Sequence, residues 1–443
     1  MGETFNCLIM GAAGRDFHDF QMFFRDRPQF HVCAFTATQI PFIESRTFPR
    51  SLAGPNYSAD IPIFPESQLP DLIRRFHIEF AFFAYSDISH VDLMHKASWV
   101  QSCGASFVLL GPRQTQLNSQ KPVIAVTAVR TGAGKSPLSQ WLSRKLTDDG
   151  RHVGIIRHPM PYGDLERQAV ERLASFDDLQ RFQCTIEERE EYEPYLEQGL
   201  IVLAGVNYQA ILKIAEAEAD VILWDGGNND FSFIRPDVTI VVVDALRPGH
   251  EILYYPGETN LRQADIVVIN KVREASVQSL SEIRQRVQSL NPRATVIESD
   301  LSIAVDQPEL ITGRRVLVIE DGPTLTHGGM SYGAGTLAAR QFGAGEIIDP
   351  RSAAVGTLAE IYRQYPHLGD VVPALGYSTK QCGELAQTIE HSGADLVIDA
   401  SPCRLDRILE LKTKVVRVSC RFQQTAGIPL YEEILQRMNR SEV

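Results

Sequence analysis

Short runs of four or five consecutive apolar residues recur along the chain, for example at residues 123–126, 221–224 and 266–269. Continuous runs of this length, unlike alternating ones, fit strands that are covered on both faces. Many of the segments between them have helical composition, such as residues 137–148 and 277–289. This alternation predicts an α/β protein whose sheet is mostly parallel.

A polar loop at residues 111–120 divides the apolar runs into two groups. The chain has 443 residues, and single hydrophobic cores stop growing near about 250–300 residues, so more than one domain is expected. We predict a Rossmann-like unit at residues 1–118 and a second α/β unit at residues 119–300. Residues 301–443 are predicted to form an α/β region that completes or flanks the second unit.

Composition narrows the class of protein. The formal net charge of -12 argues against broad binding to nucleic acid or to an anionic membrane, so an anionic ligand would need a focused site. Seven scattered cysteines without a CxxC pair favour reduced thiols over a zinc module or a disulfide framework. With no export segment and no run of about 18 apolar residues, we expect a cytoplasmic protein with no membrane span.

The strongest motif is PVIAVTAVRTGAGKS at residues 122–136, in which a buried strand leads through a glycine turn into a helix. Val129 replaces the first glycine of GxxxxGK[ST], and such glycine-poor loops are typical of the P-loop class that includes dethiobiotin synthetase. Backbone amides there can surround a phosphate, while Lys135 reaches the β- and γ-phosphates and Ser136 binds Mg²⁺. The predicted phosphate-binding residues are Thr131, Gly132, Ala133, Gly134, Lys135 and Ser136. Residues 119–300 are therefore predicted to be a P-loop nucleotide-binding domain.

A second element of a nucleotide site follows in the stretch VILWDGG at residues 221–227. It has the form of a Walker B strand, in which Asp225 would hold Mg²⁺ and Gly227 would offer an amide near the γ-phosphate. The stretch INKVR at residues 269–273 stands where GTPases carry NKxD, with Asn270 and Lys271 in the shared positions. Because Arg273 replaces the guanine-binding aspartate and cannot accept hydrogen bonds, we expect ATP to be preferred over GTP.

Candidate substrate groups lie outside the P-loop. The turn GAAG at residues 11–14 follows an apolar strand, and the amides around Gly11 and Gly14, together with Arg15 and His18, are predicted to bind a phosphate group. A dinucleotide cofactor is the weaker alternative, because no acidic residue stands at the end of the next strand to bind a ribose.

Two further pairs of cationic side chains follow predicted strands: Arg157 with His158, and Arg247 with His250. Strand ends of open α/β sheets form ligand sites, so these side chains are predicted to meet at one edge and to bind anions. His327, in the stretch THGG, is a further candidate within an amide-rich turn.

Five stretches together resemble the cyclic 2,3-diphosphoglycerate synthetase family over most of the chain. They are GAAGRDFHDF (11–20), RTGAGKS (130–136), WDGGNNDF (224–231), DALRPGH (244–250) with YPGETN (255–260), and EDGPTLTHGGM (320–330). The resemblance implies dependence on ATP and Mg²⁺, 2,3-diphosphoglycerate as a small anionic substrate, and a cyclic pyrophosphate product with ADP and phosphate. It also implies a homodimer.

The chemistry expected from this resemblance is a ligase reaction that forms a phosphoric anhydride. Lys135, Arg130, and Mg²⁺ on Ser136 and Asp225 would stabilise transfer of the γ-phosphoryl group to one substrate phosphate, and the second phosphate would then attack intramolecularly. Two other classes stay open: a regulatory or metal-insertion NTPase, and a carboxylate-amine ligase resembling dethiobiotin synthetase.

Overall fold

The structure is a computed structural model that describes residues 4–12, 14–38, 46–158, 164–227, 230–326, 329–374 and 379–441. His327 therefore lies outside the described residues. The first seven strands are Phe5–Met10 (β1), Phe30–Ala37 (β2), Thr47–Phe48 (β3), Ile61–Pro65 (β4), Phe80–Phe83 (β5), Ile88–Ser89 (β6) and Ser106–Leu109 (β7). The next eight are Val123–Ala128 (β8), Val153–Arg157 (β9), Glu171–Leu173 (β10), Ile201–Ala204 (β11), Val221–Asp225 (β12), Val238–Asp244 (β13), Tyr254–Tyr255 (β14) and Ile266–Asn270 (β15). The last six are Thr295–Val305 (β16), Arg315–Asp321 (β17), Glu346–Ile347 (β18), Val372–Ala374 (β19), Leu396–Ala400 (β20) and Val415–Ala426 (β21).

Sixteen α-helices are assigned in the described residues. The first eight are Arg15–Asp19 (α1), Arg50–Ala53 (α2), Leu69–Phe76 (α3), His90–Ser102 (α4), Lys135–Asp148 (α5), Phe176–Arg181 (α6), Ile186–Leu196 (α7) and Tyr208–Glu218 (α8). The others are Gly257–Gln263 (α9), Val277–Leu290 (α10), Gly322–Thr326 (α11), Ala334–Gln341 (α12), Thr357–Gln364 (α13), Thr379–His391 (α14), Leu405–Ile408 (α15) and Leu430–Ser441 (α16).

Two large sheets organise these elements. The first has six strands in the order β3-β4-β2-β1-β5-β7, and among its described pairs only β3–β4 is antiparallel. The second has 13 strands in the order β10-β11-β9-β12-β8-β13-β15-β16-β21-β20-β17-β18, with β19 also paired to β17. Its antiparallel pairs are β10–β11 and β16–β21. The predicted α/β class with mostly parallel sheet is confirmed.

The C-terminal region continues the sheet of the P-loop unit. Strand β16 runs through residue 300, so the predicted boundary at 300 falls inside a strand. The outer half of β16 pairs with β21, and Leu301, for example, lies opposite Phe422. Residues beyond 301 therefore extend the sheet that carries the P-loop, and the ends of β17 and β20 line the same cavity as that loop.

Burial follows the pattern of apolar runs. Every residue of β8, β12 and β15 is buried, which fits central strands covered by helices on both faces.

Strand β14 pairs with β6 and so joins the N-terminal unit to the P-loop unit. All seven cysteines are free in the structure. In the part of the chain that the structure describes, no helix combines the length and apolar character needed to span a bilayer.

Candidate active site

The P-loop connects β8 to α5. Gly132 and Gly134 have φ angles of +79° and +101°, a region that glycine occupies without steric penalty. Lys135 is the first residue of α5, so the loop lies at a helix N-terminus, where backbone amides favour phosphate. The predicted phosphate-binding residues all line one cavity of about 690 Å³: Thr131, Gly132, Ala133, Gly134, Lys135 and Ser136.

Asp225, at the end of β12, is the centre of a buried polar network. Its Oδ1 accepts a hydrogen bond from Lys135 Nζ at 2.5 Å, and its Oδ2 accepts one from Tyr195 Oη at 2.5 Å. The guanidinium of Arg157 also contacts Oδ2. Burial opposes ionisation of Asp225, but Arg157 and Lys135 outweigh it and lower its pKa to about 2. The carboxylate is therefore charged, and it positions the lysine of the P-loop.

Burial also acts on Lys135, whose pKa falls to about 8 although Asp225 favours the charged form. The pair is ionised at neutral pH, because the carboxyl titrates far below the amine. Ser136 and Asp225 present oxygen atoms, which are the donors that Mg²⁺ prefers. Mg²⁺ usually takes only one or two protein carboxylates and completes its shell with phosphates and water, so this pair fits it.

Asn270 and Lys271, at the end of β15, contact the P-loop backbone. Asn270 Nδ2 donates to the carbonyl of Ala133 at 2.8 Å, while its Oδ1 accepts from Ser299 Oγ at 3.0 Å. Lys271 Nζ donates to the carbonyl of Gly132 at 2.7 Å and to Asp244 Oδ2 at 2.8 Å. Both residues lie at the predicted nucleotide site, where they fix the shape of the loop.

Arg130 links the P-loop to the N-terminal unit. Its Nε lies 2.8 Å from Asp87 Oδ1, and its guanidinium stacks on the ring of Tyr254 at 3.8 Å. The backbone amide of Thr131 donates to the other oxygen of Asp87 at 3.2 Å. Arg130 also lines the cavity, so a predicted catalytic group reaches the site while it is tied to the first sheet.

Arg247 lies against the outside of the P-loop. Its Nη2 donates to the carbonyl of Thr131 at 2.8 Å, and its Nε pairs with Asp244 at 2.9 Å. His250 packs on the ring of Tyr254, and burial lowers its pKa. In the structure Arg247 therefore supports the P-loop backbone and pairs with the carboxylate at the end of β13. Its binding of an anion stays a prediction.

The N-terminal candidates lie in a buried contact between the two large sheets. Arg15 is 4% exposed, donates to Tyr255 Oη at 3.1 Å and lies 3.5 Å from Asp19 and 3.6 Å from Asp230. Its guanidinium also faces the ring of Phe231 at 4.6 Å. These neighbours satisfy the buried guanidinium within the protein, and the phosphate contact of Arg15 stays a prediction.

His18 and His158 occupy the same buried contact as neutral rings. Ring Nε2 of His18 bonds to the carbonyl of Thr115 at 2.9 Å, and the ring stacks on Phe233 at 4.0 Å. Burial lowers the pKa of each histidine to about 3. Neither ring carries a positive charge at neutral pH, so the structure does not give them the anion-binding character expected from sequence.

The turn at Gly11 and Gly14 packs against protein groups. The amide of Gly14 donates to Asp16 Oδ1 at 3.1 Å, and the amide of Gly11 donates to the carbonyl of Thr36 at 2.9 Å. A Cβ at Gly14 would come within 2.3 Å of His158 Nε2. These glycines permit close packing between the units, and their amides bond within the protein.

The cavity that contains the P-loop is also lined by many acidic residues. Carboxylates outnumber lysines and arginines among its lining residues. Helix α7 supplies much of this acidic lining, through Glu187, Glu190 and Glu191, and Asp321 at the end of β17 adds another carboxylate. Sequence analysis missed these residues, because the acidic run at 187–191 reads as a solvated helix face and only later strands bury it.

Part of the cavity wall is aromatic. Trp141, on α5, packs on Phe422 of β21 with ring centroids 5.0 Å apart, and both line the cavity. Gly227 also lines the cavity. A side chain larger than hydrogen would not fit there, because a Cβ at Gly227 would lie 2.2 Å from the carbonyl oxygen of His158. Arg157 is 1% exposed and contacts Glu191 as well as Asp225, so it holds α7 against the Walker B strand.

Comparison with known proteins decides the family. Arginine synthetase ArcE of Thermococcus kodakarensis is 55% identical to this chain over 429 residues, which cover 97% of this chain and 96% of that protein. The chain belongs to the family of this arginine synthetase. The family model described as "Cyclic 2,3-diphosphoglycerate synthetase, P-loop domain" matches residues 199–299, a range that includes Asp225, Asn270 and Lys271. The resemblance predicted from the sequence is thus confirmed.

A curated relative and a solved structure show lower similarity to this chain. Cyclic 2,3-diphosphoglycerate synthetase of Thermococcus sibiricus is 22% identical over 241 residues, covering 50% of this chain and 54% of that protein. A crystal structure of LpxK from Aquifex aeolicus in complex with ATP has a TM-score of 0.42 and 11% identity, over 84% of this chain and 99% of that chain. The family matches support an ATP-dependent enzyme of the P-loop class.

Proposed function

We propose that this chain is an ATP-dependent synthetase whose product is arginine. The observation that carries the proposal is the cavity shared by the P-loop and a wall of carboxylates, which suits a ligand rich in N–H groups or positive charge. The full-length similarity to an arginine synthetase supports the same product. A substrate with two phosphates would meet repulsion along that wall.

The chemistry follows from what a P-loop can activate. A ureido amino acid, citrulline, differs from arginine by an oxygen in place of one guanidinium nitrogen. Transfer of the γ-phosphoryl group of ATP to that oxygen would release ADP and leave a phosphate ester. Ammonia would then attack the carbon and expel phosphate with the oxygen, so the net products would be arginine, ADP and phosphate.

The residues around Lys135 would have separate tasks in this reaction. Lys135 would stabilise charge on the transferring phosphoryl group, and the P-loop amides would hold the β-phosphate. Ser136 and Asp225 would hold Mg²⁺, which supplies neutralising charge to the phosphates when it is bound. Arg130, which lines the cavity and pairs with Asp87, would add positive charge beside the transferring phosphoryl group.

Cyclisation of 2,3-diphosphoglycerate is the second candidate, favoured by the P-loop domain match at residues 199–299. Both reactions begin with transfer of the γ-phosphoryl group to a substrate oxygen, so the same catalytic groups would serve. Binding of Mg²⁺ and assembly into a homodimer stay predictions. Light scattering on the purified protein would test the dimer.

The deciding experiment supplies ATP and Mg²⁺ with either citrulline and ammonium or 2,3-diphosphoglycerate. Chromatography would measure arginine, and phosphorus NMR would measure ADP, phosphate and any pyrophosphate within the substrate. We expect arginine and ADP in equal amounts in the first mixture. New coupled pyrophosphate resonances in the second mixture, without arginine in the first, would replace the synthetase proposal with the cyclase.

A further inference from the structure

Glu190 is a buried carboxyl group without a hydrogen-bond partner in the described part of the chain. It lies in the middle of α7, is 6% exposed, and lines the cavity that contains the P-loop. Among the described residues, none donates a hydrogen bond to its Oε1 or its Oε2. A buried carboxylate without a partner is costly, so proteins keep such groups where a ligand completes them.

Other acidic residues of α7 have structural tasks. Glu188 forms the capping box with Thr185 at the start of the helix. Glu193 accepts hydrogen bonds from Arg189 Nη1 at 3.1 Å and from the amide of Arg404 at 2.6 Å. These contacts fix the helix and leave Glu190 aimed at the cavity.

Two carboxyl groups from the extended part of the sheet approach Glu190. Asp321, at the end of β17, accepts a hydrogen bond from Thr324 Oγ1 at 2.5 Å and lines the cavity. Asp399, in β20, binds Ser401 through Oδ1, while its Oδ2 has no hydrogen bond from a described residue and lies 4.0 Å from Arg417 Nη1. Carboxyl groups from a helix and two strands thus come together in this region.

We infer that Glu190, with Asp321 beside it, forms the subsite that binds the nitrogen-bearing head of the substrate, a guanidinium or ureido group. This assignment rests on the proposed synthetase function for the identity of the ligand. A planar guanidinium fits because its forked N–H groups match the two oxygens of a carboxylate. Among the residues that the structure describes, no group of three or more His, Cys, Asp or Glu side chains is placed to hold a metal ion.

Proton exchange gives the subsite a second signature. Burial raises the pKa of Glu190 well above its usual range, and nearby carboxyls raise it further. The titratable groups that face it are Glu187 and Glu193 on its own helix, Asp321 on β17, Asp399 on β20 and Cys403. Before binding, Glu190 is therefore protonated over a wider pH range than an exposed glutamate. A guanidinium favours the ionised carboxylate, so binding of arginine should release a proton.

The test compares wild type, Glu190→Gln and Glu197→Gln by calorimetry with arginine. Glu197 is the matched control, because it lies just after α7 at the rim of the same cavity and its side chain is 42% exposed. We expect Glu190→Gln to weaken arginine binding by about tenfold or more, while Glu197→Gln stays within about twofold. Titrations in phosphate and in Tris should show proton release for wild type and none for Glu190→Gln. Thermal melting should show that both variants fold.

The outcomes separate the subsite from the proposed function. Equal arginine affinity and equal proton release in wild type and Glu190→Gln would overturn the subsite, as would a wild-type protein that binds no arginine. A wild type that binds arginine through Glu190, yet forms none from ATP, citrulline and ammonium, would retain the subsite and remove the synthetase. Citrulline should bind wild type without proton release, because its head carries no charge.

Discussion

A few side chains already hold one another in the arrangement that phosphoryl transfer requires. Asp225 binds Lys135, Arg157 and Tyr195 at once, and its low pKa keeps it ionised. Asp225 thereby holds the ammonium group of Lys135 at the end of β12, beside the cavity. Removal of its ammonium should affect chemistry more than folding, because Arg157 and Tyr195 continue to satisfy the carboxylate.

Lys135→Ala is therefore expected to lower turnover by about a hundredfold or more, through loss of charge stabilisation at the transferring phosphoryl group. Steady-state ADP release measures the effect, and a thermal melt checks the fold. Lys145→Ala provides the control, because Lys145 is an exposed residue in the last turn of the same helix. Turnover near that of wild type in Lys135→Ala would exclude this lysine from catalysis.

At the scale of elements, the P-loop and the end of β15 act as one unit. A Cβ at Gly134 would lie 2.1 Å from Asn270 Nδ2, the atom that bonds to the carbonyl of Ala133. The positive φ of Gly134 adds backbone strain to that clash. Glycine is thus required here for two independent reasons.

Gly134→Ala should accordingly abolish measurable nucleotide binding, while Gly150→Ala should cost only about 1–2 kcal/mol of stability. Gly150 has a φ of +78°, and no described atom lies within 4 Å of the position that its Cβ would take, so this variant isolates the backbone effect. Titration with a fluorescent nucleotide measures binding by Gly134→Ala, and thermal melting measures the stability of Gly150→Ala. Tight nucleotide binding by Gly134→Ala would show that Asn270 can move without loss of the loop.

Base selectivity belongs to the same element. The side chain of Arg273 is 59% exposed, lies 3.9 Å from Asp300 and donates to Gln423 at 3.2 Å. Since arginine offers no acceptor to guanine, ATP should be used at least about tenfold better than GTP. Arg273→Asp should narrow that ratio. Competition between the nucleotides at equal concentration measures it, and a preference for GTP in wild type would refute this use of Arg273.

The sequence was informative wherever function depends on local pattern. The buried strand before Lys135 and the aspartate at the end of β12 could be recognised, because strand, turn and helix are neighbours in the chain. Arg15 and Glu190 could not be assigned correctly from local pattern. The partner Asp230 of Arg15 is more than two hundred residues away, and Glu190 is buried only after strands beyond residue 315 fold against α7.

At the scale of the whole molecule, the contact between the N-terminal unit and the P-loop unit buries His18. His18 stacks on Phe233 and bonds to Thr115, and its pKa falls to about 3 because it is buried. An unfolded histidine titrates near 6.5. At this residue the unfolded chain therefore binds more protons than the folded one between these values, so the contribution of His18 to stability is lost as pH falls below about 6.5.

We expect the melting temperature of His18→Gln, measured relative to that of wild type, to rise by several degrees as the pH falls from 7 to 5. Glutamine can still donate to the carbonyl of Thr115, but it takes up no proton. His152→Gln is the control, because the side chain of His152 is 82% exposed. If the melting temperatures of wild type and His18→Gln changed identically with pH, protonation of His18 would not contribute to the pH dependence of stability.

The order of strands in the larger sheet also bears on how the protein is made. Strand β21 lies between β16 and β20, although it is the last strand in the described chain. During synthesis, one edge of β16 and one edge of β20 therefore stay unpaired until residues 415–426 emerge from the ribosome. Unpaired strand edges can form hydrogen bonds with other chains and so promote aggregation. Strand β21 joins the P-loop half of the sheet to the half that carries Asp321 and Asp399. We therefore expect nascent chains halted before residue 415 to bind chaperones more than nascent chains that already contain β21.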